Sequence, residues 1–112
     1  MQTACQVVLV VDDSEMNRNL LDKVLTNSGY QVLLAEDGRE ALDVLTNQYV
    51  DLVLLDMLMP VLNGLDTLQE LRTTHTAAEL PVIMVSGAGN SDQVVEALTH
   101  GANDYITKPF DV

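Results

Sequence analysis

Residues 50–60 read VDLVLLDMLMP, in which an apolar run over residues 52–55 ends in Asp56. A run without polar alternation is typical of a strand buried on both faces, as in a parallel sheet covered by helices. A buried carboxylate without a partner is costly, so it normally faces a cation. The stretch therefore predicts a central strand whose carboxyl end holds an acid that needs a positive partner.

Similar runs occur elsewhere in the chain. Residues 7–11 and 82–85 are apolar without alternation, and the shorter candidates at 32–35 and 105–107 suit an outer pair of strands. Alternation of such strands with helices and short connections implies right-handed crossovers and an open, doubly wound α/β sheet.

Helical spacing of apolar residues fills the intervals between these runs. Ser14 is placed to cap the first helix and Gly29 to end it. The apolar positions of the four predicted helices are Met16, Leu20 and Val24 on a face shared with Leu21 and Leu25; Ala41, Leu42 and Leu45; Leu65, Leu68 and Leu71; and Val94, Val95 and Leu98, with an end near Gly101.

Polar residues stand where the predicted strands end. They are Asp12 and Asp13, Asp56, Ser86 and Lys108. Each residue taken alone is better explained as a helix cap or a loop residue. In an open parallel sheet, however, the carboxyl ends of the strands meet at one edge, and ligands bind there. Their common position at strand ends predicts one site.

Composition limits the function. The 112 residues suit one domain, 47% of them are hydrophobic, and 17 acids against 5 bases give a net charge of −12. That charge argues against nucleic acid and anionic membranes as partners, because both require basic residues. Cys5 is the only cysteine, which excludes a disulfide framework, and the first residues resemble neither a secretion signal nor a membrane span. The cytoplasm is the expected location.

The residue types at the strand ends favour phosphoryl chemistry. Clustered carboxylates repel one another unless a cation lies among them, and oxygen ligands suit Mg²⁺. No His or Cys stands among these strand ends, which argues against zinc. Lys108 and Ser86 can bind an oxyanion beside the acids. Asp56 is the natural nucleophile and would form an acyl phosphate, while Asp12 and Asp13 suit a metal.

Five fragments carry a resemblance to a known family. They are VVDDSEMNR (residues 10–18), AEDGREAL (35–42), LLDMLMPVLNG (54–64), PVIMVSGAG (81–89) and GANDYITKPF (101–110). In this order and at this spacing they resemble the receiver domain of response regulators in two-component signalling. The resemblance spans nearly the whole chain.

The resemblance implies roles for residues of the metal site. Asp56 corresponds to the phosphorylated aspartate and, with Asp13, to a direct Mg²⁺ ligand. Asp12 corresponds to an acid that acts through water, and the backbone carbonyl of Leu58 to a further ligand.

It also implies a switch. Ser86 corresponds to the hydroxyl that turns toward the phosphoryl group, and Tyr105 to the aromatic residue that moves with it. Lys108 corresponds to the lysine that contacts the phosphoryl oxygens.

The fold implied by the family is flavodoxin-like, with a five-stranded parallel sheet in the order 2-1-3-4-5 and helices on both faces. The family continues into a fifth helix, whereas this sequence stops at Val112. We therefore expect residues 1–112 to be a receiver domain and the N-terminal fragment of a longer protein. An uncovered strip of sheet would then favour self-association or lower stability.

The implied function is a signalling switch that receives a phosphoryl group on Asp56 and catalyses only its own phosphorylation and dephosphorylation. The expected partners are a sensor histidine kinase or phosphotransfer protein, and an output domain or effector; a homodimer is left open. One alternative is a phosphatase of the haloacid-dehalogenase type, although that family has a DxD pattern and the acids here are adjacent. Another is a receiver that binds without phosphorylation, although such members tend to lack an acid or the lysine.

Overall fold

The computed structural model describes residues 6–57, 59, 61–87 and 91–107. These residues contain five strands and four helices in alternation. The elements are β1 (Val7–Val11), α1 (Glu15–Asn27), β2 (Gln31–Ala35), α2 (Gly38–Asn47), β3 (Leu52–Asp56), α3 (Gly64–Leu71), β4 (Val82–Ser86), α4 (Ser91–Thr99) and β5 (Asp104–Thr107). The predicted order is confirmed, and β3 and β4 extend one residue further than predicted, to include Asp56 and Ser86.

All four strand pairs are parallel, and the order across the sheet is β2-β1-β3-β4-β5, as expected. After β1 the chain forms β2 on one side of it, and then crosses back to form β3, β4 and β5 on the other side. The strand order therefore reverses between β1 and β3, which is where an open sheet of this kind leaves a crevice for ligands. Asp12 follows β1 and Asp56 ends β3, so two predicted acids flank this crevice.

Alternate residues of each strand face opposite sides of the sheet, and each side has its own core. Leu9, Val11 and their counterparts in other strands pack in a large cluster with residues of α2, α3 and α4, among them Leu68 and Ala97. Helices α2, α3 and α4 therefore cover this face of the sheet.

The opposite face has a smaller core. Val8 and Val10 pack there with Leu21 of α1, and Leu52 and Leu54 contribute as partly buried neighbours. On this side α1 covers mainly β1 and β2, because its contacts are with those two strands.

Helix α1 begins and ends near the predicted residues but buries only part of the predicted apolar face. Ser14 is its N-cap and accepts a 3.3 Å hydrogen bond from the Asn17 amide, and Gly29 follows it with a φ of +97°. Met16, however, is 78% exposed and Leu20 is 37% exposed. Only part of the predicted apolar face is therefore buried, because α1 docks on β1 and β2 through Leu21.

Side-chain caps also define the starts of α2 and α3. The Asp37 carboxylate accepts a 2.8 Å bond from the Glu40 amide, and the Asn63 side chain accepts a 2.9 Å bond from the Asp66 amide. Such caps satisfy amides that have no partner within the helix. Within the described part of the chain, the longest helix is α1 with 13 residues, and no helix is long and apolar enough to cross a bilayer.

Candidate functional site

Three carboxylates meet at the carboxyl edge of the sheet. One carboxylate oxygen from each of Asp12, Asp13 and Asp56 lies within 4.8 Å of the corresponding oxygens of the other two. Asp12 and Asp56 are buried, with exposures of 2% and 5%, whereas Asp13 is exposed. The structure therefore brings together the acids that the sequence placed at the ends of two different strands.

Hydrogen bonds to β2 and to α1 constrain the turn between β1 and α1. The Asp12 amide donates to the Ala35 carbonyl at 3.1 Å, which ties the turn to β2. The Asp12 carboxylate accepts a 2.9 Å bond from the Ser14 amide, and the Asp12 carbonyl accepts a 2.7 Å bond from Arg18 Nη1. The backbone that carries the two adjacent acids is consequently well constrained.

The loop after Asp56 is shaped by a close backbone approach. The Met57 amide donates to the Val85 carbonyl at 3.0 Å, and the Gly64 amide donates to the Met57 carbonyl at 2.9 Å. A Cβ atom added at Gly64 would overlap the Asp56 carbonyl oxygen, so only glycine fits there. In the loop between Asp56 and Gly64, the Val61 side chain is 80% exposed and its φ is 69°, a strained value for a β-branched residue.

The start of α2 supports the same loop. A Cβ atom at Gly38 would overlap Thr67 Oγ1 and come within 2.6 Å of the Leu62 carbonyl oxygen. Thr67 is 2% exposed, and its hydroxyl donates a 2.7 Å bond to the Asn63 carbonyl. Gly38 thus allows the start of α2 to approach Leu62 and Thr67, and Gly64 allows the start of α3 to approach Asp56 and Met57.

The predicted switch residues lie on the neighbouring strands. Ser86 is buried at the end of β4, one residue beyond the partner of Asp56, which is Val85. Tyr105 lies in β5 opposite Met84, is partly buried and packs against the larger core. The roles of Ser86 and Tyr105 remain predictions, since their positions alone do not establish a movement.

Two other predicted site residues, Leu58 and Lys108, lie outside the described residues. Their roles as a carbonyl ligand and as a phosphoryl contact stay predictions.

The donor set of the acidic cluster fits Mg²⁺. It consists of carboxylate oxygens, which are hard ligands, and it combines two buried acids with one exposed acid. Three like charges this close would repel one another, and a divalent cation removes that repulsion. Asp12, Asp13 and Asp56 are therefore the residues that would hold the metal.

Arg18, Gly38 and Gly64 were not singled out from the sequence. Arg18 is only 9% exposed, and its spacing from Leu21 and Leu25 is that of one helix face, a pattern that could have indicated burial. The two glycines follow capping residues, but nothing local indicates the side chains and carbonyls they pack against.

A comparison with protein families places these features in one class. A family model described as the response regulator receiver domain matches residues 8–112. The chain belongs to this family. A match over nearly the whole sequence does not favour the phosphatase alternative.

Individual proteins agree with this assignment. The chain is 46% identical over 104 residues to the transcriptional regulatory protein CpxR of Klebsiella pneumoniae, which covers 93% of this chain and 43% of that protein. It thus spans less than half the length of this relative. The chemotaxis protein CheY4 of Vibrio cholerae matches with a TM-score of 0.91 and 31% identity, covering 96% of this chain and 90% of that one.

A second similar structure contains a ligand. It is a complex of CheX, CheY, BeF3 and Mg from Borrelia burgdorferi, which matches with a TM-score of 0.88 and 34% identity over 95% of this chain and 80% of that one.

Proposed function

We propose that this chain is a phosphorylation-dependent signalling switch whose phosphoacceptor is Asp56. The observation that carries the proposal is the position of Asp56, which is buried at the end of β3 with a carboxylate oxygen within 4.8 Å of those of Asp12 and Asp13. In a receiver domain, a buried acid this close to two others is suited to meet both a metal and a phosphoryl group.

The reaction is a transfer between two side chains. A carboxylate oxygen of Asp56 attacks the phosphorus atom of a phosphohistidine on the partner, so an oxygen–phosphorus bond forms as the nitrogen–phosphorus bond breaks. The imidazole leaves with the electron pair of the broken bond. When bound, Mg²⁺ would neutralise charge on the acids and on the phosphoryl oxygens. The chain would hold it through Asp12, Asp13 and Asp56, with the Leu58 carbonyl as a further ligand.

The switch follows from the same site. Lys108 contacts the phosphoryl oxygens, Ser86 turns toward them, and Tyr105 moves with Ser86. This movement alters the surface of α4 and β5, which a partner reads. Because each ligand can shift a two-state equilibrium only by its preference for one state, the coupling between phosphoryl group and partner must be reciprocal.

The partners follow from this role. A sensor histidine kinase or phosphotransfer protein supplies the phosphoryl group, and an output domain or separate effector responds. The name of the CpxR relative suggests transcription as one such output, exerted by a part of the protein outside the 43% matched here. The chain acts in the cytoplasm and catalyses only its own modification, and residues 1–112 form one receiver unit of a longer protein.

Intact-mass measurement after incubation with acetyl phosphate and Mg²⁺ tests the proposal. We expect a gain of one phosphoryl group per chain, and no gain in Asp56→Asn. Asp43→Asn is the matched control, because Asp43 is an exposed acid on α2 and should leave the gain intact.

The outcome also separates the alternatives. A gain that persists in Asp56→Asn would place the nucleophile elsewhere. Repeated turnover of a phosphate ester would favour a phosphatase. Mg²⁺ binding without any gain from acetyl phosphate or from a phosphorylated kinase would favour a receiver that works by binding alone.

A further inference from the structure

Arg18 is one of five basic residues in a chain of net charge −12. It lies on the buried side of α1 and is 9% exposed. Its Nη1 atom donates a 2.7 Å hydrogen bond to the Asp12 carbonyl, and its Nη2 atom is 3.8 Å from Glu36 Oε1. Burying a guanidinium is costly unless its donors are satisfied, so the contact with Asp12 must compensate for part of that cost.

The bond acts on a specific peptide group. The Asp12 carbonyl belongs to the peptide bond that joins Asp12 to Asp13, so its orientation determines the directions in which both acids leave the backbone. Two further bonds of Asp12 are to neutral groups, the Ser14 amide and the Ala35 carbonyl. A charge-assisted bond from Arg18 is the stronger type of contact and is well placed to hold the peptide.

We propose that Arg18 is a positioning residue for the metal site, which it serves by fixing the Asp12–Asp13 peptide. The inference rests on the proposed function, because it assumes that these acids bind Mg²⁺. Arg18 contacts neither the metal nor the phosphoryl group in this proposal; it acts through the acids. Groups that orient metal ligands typically change metal affinity by roughly 10-fold to 100-fold when they are removed.

Two other roles for Arg18 give different results. If Arg18 acted only through its positive charge, its removal would strengthen Mg²⁺ binding, because a cation near the site repels the metal. If Arg18 acted only in packing, its removal would lower the melting temperature and leave the Mg²⁺ affinity unchanged. Positioning alone predicts that Mg²⁺ binding becomes weaker.

The test compares Mg²⁺ affinities by calorimetric titration, with metal-free melting temperatures measured in parallel. Arg18→Met removes the donors and the charge but keeps an unbranched apolar side chain, and we expect about 10-fold weaker binding. Arg18→Lys keeps the charge without the planar fork of the guanidinium, and we expect a smaller loss in the same direction. Arg39→Met is the matched control. It removes one positive charge at an exposed pair with Glu70, and it should leave the affinity unchanged.

Each outcome decides the question. Unchanged or tighter Mg²⁺ binding in Arg18→Met overturns the proposal, and if that variant does not fold, unchanged or tighter binding in Arg18→Lys overturns it. Weaker binding in Arg39→Met as well would also overturn it, since the loss would then not be specific to the bond between Arg18 and the Asp12 carbonyl. If the wild-type chain itself binds no Mg²⁺, the proposed function fails first; if wild type binds and Arg18→Met binds equally, only the role of Arg18 fails.

Discussion

The two edges of the sheet carry opposite charges in different settings. At the edge where the strands begin, the guanidinium of one arginine is surrounded by hydrogen-bond acceptors, whereas at the edge where the strands end, three aspartate carboxylates lie close together. Arg72 lies at the first edge. Its Nε donates to the Gly101 carbonyl at 2.9 Å, its Nη1 to the Leu80 carbonyl at 2.8 Å and the His75 carbonyl at 3.2 Å, and its Nη2 to Asn103 Oδ1 at 3.0 Å. Partial burial lowers the pKa of Arg72, but a guanidinium stays charged at neutral pH.

At the second edge, Asp12, Asp13 and Asp56 have oxygens within 4.8 Å of one another. Like charges at this spacing oppose folding, whereas the Arg72 contacts join three chain segments and favour it. The difference indicates that the contacts at the first edge serve stability, whereas the second edge gathers acids that repel one another at the place of the proposed site. Proteins commonly break local rules of stability at functional sites. The following substitutions test this contrast between the two edges.

The largest effect is expected at Gly64. Gly64→Ala would force a Cβ atom into the Asp56 carbonyl oxygen, so the loop and the end of β3 must shift. We expect a loss of about 3 kcal/mol or more in the free energy of unfolding, because backbone cannot move aside as a flexible side chain can. Urea denaturation followed by circular dichroism measures it.

Gly87→Ala is the control for Gly64→Ala. Gly87 also follows a strand at this edge, but no atom of the described residues lies within 4 Å of a Cβ atom added there. We expect a change of less than about 1 kcal/mol, in either direction. Equal losses in the two alanine variants would contradict the specific contact at Gly64.

The next effect concerns the opposite edge. Arg72→Met removes the donors for four acceptors while keeping much of the side-chain volume, and we expect a loss of about 2 kcal/mol in unfolding free energy. The Mg²⁺ affinity should not change, because the contacts lie at the far end of the sheet. A stable Arg72→Met variant with impaired Mg²⁺ binding would reverse the roles assigned to the two edges.

Asp13→Asn should have a smaller effect of the opposite sign. Without metal, loss of one of three crowded charges should raise the free energy of unfolding by less than about 1 kcal/mol, because Asp13 is exposed. Mg²⁺ binding should weaken strongly. Melting curves at low salt, with and without Mg²⁺, measure both effects. Added salt should reduce the difference in stability between Asp13→Asn and wild type without metal, since salt screens the repulsion. If Asp13→Asn were less stable than wild type without metal, repulsion among the acids would be contradicted.

The smallest effect is expected at Glu79. Its carboxylate accepts a 3.0 Å bond from the Thr76 amide, and this contact lowers the pKa of Glu79 below its ordinary value of 4.5. A pKa that is lowered in the folded state stabilises the protein at pH values above the ordinary pKa. That stabilisation is lost as the pH falls through the lowered pKa. Glu79→Gln should therefore melt slightly below wild type at neutral pH and approach it below pH 4.5. A constant difference across this range would assign the effect to another cause.

Much of the fold could be predicted because its signals are local. The apolar runs at 7–11, 52–55 and 82–85 indicated strands buried on both faces, and the capping position of Ser14 indicated a helix start. The acids after β1 and in β3 were predicted to meet because parallel strands share a carboxyl edge, whichever residues cover the sheet. The resemblance to the family then implied the strand order, which is confirmed, and roles for Ser86 and Lys108, which stay predictions.

Other features depended on contacts between residues distant in the chain. Arg18 belongs to the same apolar-spaced face as Leu21, but only the docking of α1 against β1 and β2 decided that this face, and not that of Met16, would be buried.

The sequence by itself determined which residues form strands and helices and which acids stand at the strand ends, because those features depend on spacing and on residue type. The tertiary structure decided that Gly64 must remain glycine against the Asp56 carbonyl, that Arg72 joins the segments at the opposite edge, and that Arg18 holds the peptide between the two adjacent acids. These contacts depend on how the elements pack, and packing is a property of the whole core that no single stretch of sequence specifies.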